Sequence, residues 1–249
     1  MMGKKIKITP KMLSQNRLMQ KELMRNSELN FKAISRVFRE FGEETEKQFA
    51  KGISMQDLKW GVLKSRLETV LSSNSKRSID NFSKFLNKLF NYNLKDVKIE
   101  PVKNKIVDNY AKGLAQKVTN VTETTKKQIA TLIDNNKGLN TNEITVLIKE
   151  KFQEMSLGRA RTIARTETNS MFNNANYMMA QDVGLAYKVW IHGVNSPNER
   201  PHHKALSGEK IKLDEYFVLN GVECDSPHAD NLDASEVCNC SCILQFTNR

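Results

Sequence analysis

Residues 157–192 read LGRARTIARTETNSMFNNANYMMAQDVGLAYKVWIH, and the local pattern changes once within them, at Gly184. Before that glycine the stretch reads as a long helix over about 157–182. Ser156 stands at its N-cap position, and Gly184 supplies the left-handed residue on which helices commonly end. After it Tyr187, Val189 and Ile191 alternate with Lys188, Trp190 and His192, the two-residue period of a strand.

Working outward toward the N-terminus, every segment is helical in period. Thr9-Pro10 opens a helix whose stripe runs through Leu13, Leu23, Leu29, Ile34, Val37, Phe38 and Phe41. Ser54 with Asp57 opens a second one, carrying Leu58, Val62, Leu63, Leu67, Val70 and Leu71. Ser72-Ser73-Asn74-Ser75 is expected to break it, and Ile79, Phe82, Phe85, Leu86, Leu89 and Phe90 to form a third. Asn91-Tyr92-Asn93 with Pro101 marks the next break. Residues 102–133 continue the pattern, with an interruption expected near the Thr-rich 119–125 and an end at Lys137-Gly138. Asn140 and Glu143 form a capping box ahead of Ile144, Leu147 and Ile148. No strand is expected before Gly184.

Working outward toward the C-terminus, Asn195-Ser196-Pro197-Asn198 reads as a turn, 200–206 as a short helix closed by Gly208, and 242–246 as a last strand. The expected class is α+β: a mainly α-helical N-terminal body with a small mixed α/β C-terminal domain. Three segments follow from this: a helical region at 1–100, a further helical part at 101–185, and a small α+β part at 186–249.

The 249 residues are 39% apolar, enough to bury a core without disulfides or metal. No apolar run approaches the roughly 20 residues of a membrane helix, and the basic N-terminus leads into a charged amphipathic stretch, not the apolar segment of a secretory signal. The sequence therefore reads as a cytoplasmic chain with no membrane partner. The net charge of +11 is uneven: residues 1–185 hold 33 Lys/Arg against 19 Asp/Glu, residues 186–249 six against nine. Such a surplus suits a polyanionic partner, non-specific DNA first, and equally suits a solvated helical surface.

All four histidines (His192, His202, His203, His228) and all four cysteines (Cys224, Cys238, Cys240, Cys242) lie between 192 and 242. Imidazole and thiolate are the preferred ligands of zinc, which can fix a loop-rich domain too small to fix itself. The C-x-C-x-C spacing of 238–242 differs from the C-x-x-C of common zinc modules, so reduced core cysteines with loop histidines remain open, and a disulfide is the third reading. In the metal reading Cys240 and Cys242, two apart on an extended strand, share a face with His203, and His228 or Cys224 completes the shell, with Cys238 competing from the same face. A catalytic zinc would also need a carboxylate, for which Glu199, Asp225 and Asp230 are near enough in sequence. Arg159, Arg161 and Arg165 form a second signal. Arg161 and Arg165 share a helical face and could grip an anion, or serve in salt bridges.

The I-A-R165-T-E167-T helix, Trp190, R200-P-H-H203 with L-S-G208, and N239-C240-S-C242 resemble, in order and spacing, the Mu F-like family of phage head-morphogenesis proteins, over roughly residues 110–246. Carried over by position, the family pattern falls on Arg165, Glu167, Trp190, Arg200, His203, Gly208, Asn239, Cys240 and Cys242. Ser196 and Asn198 depart from it, standing where the family often has an acidic residue and an arginine. The resemblance implies a minor capsid component associated with portal or capsid proteins, present in the bacterial host cytoplasm during assembly and then inside the capsid of the virion. It assigns no catalytic residue. A zinc-dependent hydrolase or nuclease built on the His/Cys cluster is the alternative.

Overall fold

Four long helices make up most of the chain: α1 (Pro10–Ala50), α2 (Trp60–Phe90), α3 (Ile99–Asn135) and α4 (Thr141–Asp182). This computed structural model describes residues 3–90, 99–193 and 199–248. The local chemistry explains the helix ends. Thr9 Oγ1 accepts the Met12 N–H at 3.2 Å and starts α1. At α4 Asn140 Oδ1 accepts the N–H groups of Asn142 and Glu143, and Glu143 Oε2 reaches back to the Asn140 N–H at 2.8 Å, a complete capping box. Gly184, at φ 69°, ends α4, with the Gly184 N–H on Gln181 O and the Leu185 N–H on Ala180 O.

Several expected breaks are absent. The Ser72–Ser75 stretch lies inside α2, where Asn74 and Ser75 are buried. Serine and asparagine cost a helix interior only about 0.7 kcal/mol each, which tertiary burial overrides. The Thr-rich 119–125 lies inside α3 because Thr119, Thr122, Thr124 and Thr125 each donate to the carbonyl four residues back, at 2.7–2.9 Å. Ser156 is no cap: it sits mid-α4 and donates to Gln153 O. Ser54 and Asp57 open a 3-10 turn, Met55–Asp57, and α2 starts only at Trp60. The break at Asn91-Tyr92-Asn93 and the turn at Asn195-Ser196-Pro197-Asn198 lie outside the described residues.

The chain divides into two compact units, and each long helix contributes residues to both. One unit comprises Glu28–Asn74 and Ala111–Ala164, and is all helix. Its core holds Ile34, Phe38, Leu63, Leu67, Val118 and Ile148, with the Phe41 ring 5.5 Å from Trp60 and 5.6 Å from Phe152. Gly42 lets the helices close in, since a Cβ there would meet Phe152 Cβ at 2.5 Å.

The other unit comprises Met1–Ser27, Ser75–Tyr110 and Arg165–Arg249. Besides helical segments packed through Phe82 and Phe172, it carries every strand and two short helices, α5 (Pro201–Leu206) and α6 (Ala234–Val237). The strands are β1 (Lys4–Lys5), β2 (Tyr187–Ile191), β3 (Glu209–Lys212), β4 (Phe217–Leu219), β5 (Val222–Cys224) and β6 (Ile243–Thr247). The main sheet has the order β1-β3-β2-β6, antiparallel throughout, with Val189 opposite both Lys210 and Gln245; β4 and β5 form a separate hairpin. β1 was not expected, because two residues show no period. It is set by pairing, with the Ile6 N–H on Gly208 O. The alternation in β2 does not mark a solvent face: Lys188 and Trp190 are as buried as Val189. Lys188 Nζ donates to Asp225 O at 2.8 Å and lies over the Tyr177 and Phe217 rings. Its burial lowers its pKa from 10.5 to about 8.

Candidate metal centre

The chain from Cys238 to Cys242 is held in place by groups from three directions. Asn239 takes φ 58°, a left-handed conformation that asparagine tolerates, and its N–H donates to Thr166 Oγ1 at 3.1 Å. Arg200 Nη2, just ahead of α5, donates to Cys238 O at 2.9 Å. From α4, three asparagines reach the same segment. Asn169 donates to Cys240 O, and Asn173 donates to Cys242 O at 3.0 Å while accepting the Leu244 N–H. Asn176 donates to Leu244 O at 2.8 Å. Spacings of four and three put these amides on one helical face, and all three are buried. Gln20 Nε2 adds a bond to Ser241 O.

The backbone so fixed turns Cys240 and Cys242 toward His203 on α5. His203 Nδ1 lies 3.4 Å from Cys240 Sγ and 3.6 Å from Cys242 Sγ, and all three residues are 2% exposed. These atoms lie within 4.8 Å of one another, close enough to hold a metal ion. The sulfurs also receive backbone donors, Cys240 from the Cys242 N–H at 3.4 Å and Cys242 from Gly193. Gly193 has to be glycine, because a Cβ there would meet Ser241 O at 2.1 Å. The hydrogen bond from Cys240, with those from His203 and Gly193, holds the Cys242 thiol well below the ordinary thiol range. The same bond from the other side, reinforced by burial, pushes Cys240 up.

On the opposite edge of the His203 ring, Nε2 meets Glu236 Oε2 at 2.8 Å, and His202 Nε2 meets the same oxygen at 2.7 Å. Burial alone would raise the Glu236 carboxyl, but the hydrogen bonds from the two histidines outweigh it and bring it to about 2. Burial would likewise lower His203, and its bonds to Cys242 and Glu236 raise it on balance. His202, His203 and Glu236 thus form a second group that could hold a cation.

Of the metal ligands expected from sequence, the structure brings together His203, Cys240 and Cys242. His228 is elsewhere, its Nε2 on Cys240 O at 3.0 Å, and Cys224 is buried beside Asp225 and Lys188, where desolvation pushes its thiol up to about 12. The expected strand face is absent, because β6 begins only at Ile243 and none of Cys238, Cys240 and Cys242 lies in a strand. Cys238 caps α6, and Asn239 turns the chain before Cys240. Glu199 pairs loosely with Lys204, Asp225 accepts from Ser226, and Asp230 is exposed. Trp190 packs edge-on against His203 at 5.9 Å and Phe217 at 5.3 Å. Glu167 accepts from the Tyr110 hydroxyl at 2.8 Å. Gly208, at φ 82°, approaches Ile6 O so closely that a Cβ would meet it at 2.8 Å. Arg165 is half-buried on α4. Arg159 bonds Val121 O and Gln128, while Arg161 meets Glu28 at 3.4 Å and stacks on Phe31.

Glu236 and the three asparagines were not singled out from sequence. The asparagines did leave a signal, the 169, 173, 176 spacing on a helix otherwise rich in apolar residues. Glu236 left none, since it is one of nine acidic residues in the last 64.

The model of the family described as Phage Mu protein F like protein matches residues 126–245, which include every side chain around the centre except Gln20. The chain is also 33% identical over 104 residues to the NAD(+)--arginine ADP-ribosyltransferase EFV of Enterococcus faecalis (strain ATCC 700802 / V583), a match covering 40% of this chain and 21% of that protein. The chain thus spans about a fifth of that relative's length. No solved structure matches it.

Proposed function

We propose, from the match of residues 126–245 to the family described as Phage Mu protein F like protein, that this protein is a non-enzymatic minor capsid component acting in phage head morphogenesis. The observation that carries the reading is the convergence of the motif residues. Arg200, Thr166 and Asn239 tie down one segment, 238–242, so the motif reads as the framework of a folded module. In this reading residues 1–100 serve docking or assembly, 101–185 form the helical part of the head-morphogenesis domain, and 186–249 its small His/Cys-rich end. The partners are portal or inner capsid proteins, met in the host cytoplasm during assembly and kept inside the virion. No helix among the described residues is long and apolar enough to cross a membrane. A structural zinc ion on His203, Cys240 and Cys242 is the cofactor this reading carries.

Packaged DNA is a second contact in this proposal. Residues 1–27 hold seven Lys/Arg against one Asp/Glu, and all seven are exposed. Binding of this kind is sequence-independent and falls steeply as salt rises. The activity in the Enterococcus faecalis relative's name is not carried over, because the chain covers too little of that protein.

The decisive experiment removes the gene from the phage or prophage that encodes it. Loss of DNA-filled heads by electron microscopy, together with the protein's presence in purified wild-type particles by mass spectrometry, supports the reading. Normal titre, with the protein missing from particles, overturns it.

A further inference from the structure

We propose that Glu236 is the positioning residue of a zinc-class site, its carboxylate fixing His203 so that the ion sits on Nδ1, between the sulfurs of Cys240 and Cys242, and not on the Nε2 side with His202. This deepens the zinc reading stated above and rests on it.

The two candidate groups share one imidazole, and their distances tell them apart. With Zn–S near ~2.3 Å and Zn–N near ~2.0–2.1 Å at tetrahedral angles, ligand nitrogen and sulfur stand roughly 3.5 Å apart. The observed separations of 3.4 and 3.6 Å lie on either side of that edge. Nitrogen and oxygen bound to one tetrahedral zinc would stand about 3.4 Å apart. On the Nε2 side the separations are 2.7 and 2.8 Å, the length of a hydrogen bond with a proton between its atoms. An ionised carboxylate can only accept, so the Nε2 proton belongs to His203 and Nδ1 is left to face the sulfurs. Each sulfur also meets a backbone donor, Cys240 the Cys242 N–H and Cys242 that of Gly193.

The arrangement also places the carboxylate away from the ion. Glu236 stands across the ring from the ion, where it orients a ligand but cannot take a proton from metal-bound water. Among the described residues no carboxylate joins His203, Cys240 and Cys242 in one group. The three ligands are each 2% exposed, and no fourth His, Cys, Asp or Glu among the described residues joins them, so the fourth position of a tetrahedral ion is left for another donor.

The test is titration of the untagged full chain with cobalt(II), whose sulfur charge-transfer absorption reports thiolate ligation. The wild type is expected to bind one ion with that band, Cys240→Ser and Cys242→Ser to lose it, and Cys238→Ser and His202→Ala to keep it. Glu236→Ala should reach the same spectrum at saturation with affinity lower by about 10–100-fold, and Glu236→Gln should recover part of the loss. Circular dichroism of each variant separates lost binding from lost fold. A band without sulfur character that disappears in His202→Ala places the ion on the wrong side of the ring and overturns the proposal. Wild-type affinity in both Glu236 variants overturns the role of Glu236 while leaving the zinc reading intact. No band and no bound ion in the wild type overturns both.

Discussion

The all-helical unit and the strand-bearing unit are held together by different chemistry. In Glu28–Asn74 with Ala111–Ala164, side chains meet side chains: Phe41, Trp60 and Phe152 pack ring on ring, and its hydroxyls bond back to their own helices. Its ion pairs, Arg66–Glu44 and Lys149–Glu46 among them, are partly solvated and add little. In the strand-bearing unit, around an apolar core that includes Trp190 and Phe217, side chains meet backbone as well. Asn169, Asn173, Asn176, Gln20 and Arg200 each end on a carbonyl of residues 238–244. Apolar packing tolerates many sequences, whereas a buried amide bonded to a given carbonyl specifies one register. The candidate metal centre lies on that segment.

The largest expected effect tests the apolar side of this contrast. Phe152→Ala removes a buried ring from the Phe41 contact and should cost about 3–5 kcal/mol in chemical denaturation. A loss below about 1 kcal/mol would show that ring packing is not what holds the unit.

Asn173 tests the polar side. Asn173→Ala orphans Cys242 O and the Leu244 N–H, at about 2–3 kcal/mol. Asn173→Leu, which refills the space with apolar atoms, should be no better. If it restores stability, the strand-bearing unit is held by packing as well, and the contrast fails. Amide exchange in β6 is the matching local readout.

Lys188 sharpens the contrast through pH. Its folded-state pKa of about 8 lies below the unfolded 10.5, so between these values the unfolded chain holds a proton that the folded one has released. The contribution of Lys188 to stability should therefore rise with pH across that window, by on the order of 1–3 kcal/mol, against the opposite trend of the buried Cys224 thiol beside it. Lys188→Met should abolish that rise. Identical pH profiles for the two proteins would mean that the ammonium is solvated.

The smallest expected effect is at a helix end. Asn140→Ala removes the side-chain half of the α4 capping box and should cost about 1 kcal/mol, read as a shift in denaturation midpoint. A cost near that of Phe152→Ala would mean that this cap organises more than its own first turn.

Much of the fold was legible because it is local. The Asn140–Glu143 box, the Thr9 cap, the Gly184 stop and the strand at 187–191 are read from residues within five positions of each other. The expected breaks at 72–75, 119–125 and 156 failed because serine and threonine hydroxyls have two uses, capping a helix or bonding back within it, and residue type alone does not choose between them. Of the centre, His203, Cys240 and Cys242 were legible by residue type and clustering, and their convergence required Asn239 to turn the chain and α4 to receive it.

By itself, the sequence determined the helical body, the change of pattern at Gly184 and the gathering of histidine and cysteine after residue 191, since each is a matter of period, punctuation or count along the chain. Only the tertiary structure decided which sulfurs face which nitrogen, that Glu236 stands behind His203, and that Lys188 lies in a core. Those facts depend on residues 30 to 70 positions apart meeting within about 3 Å, a scale at which hydrogen bonds act and along-chain periodicity carries no information.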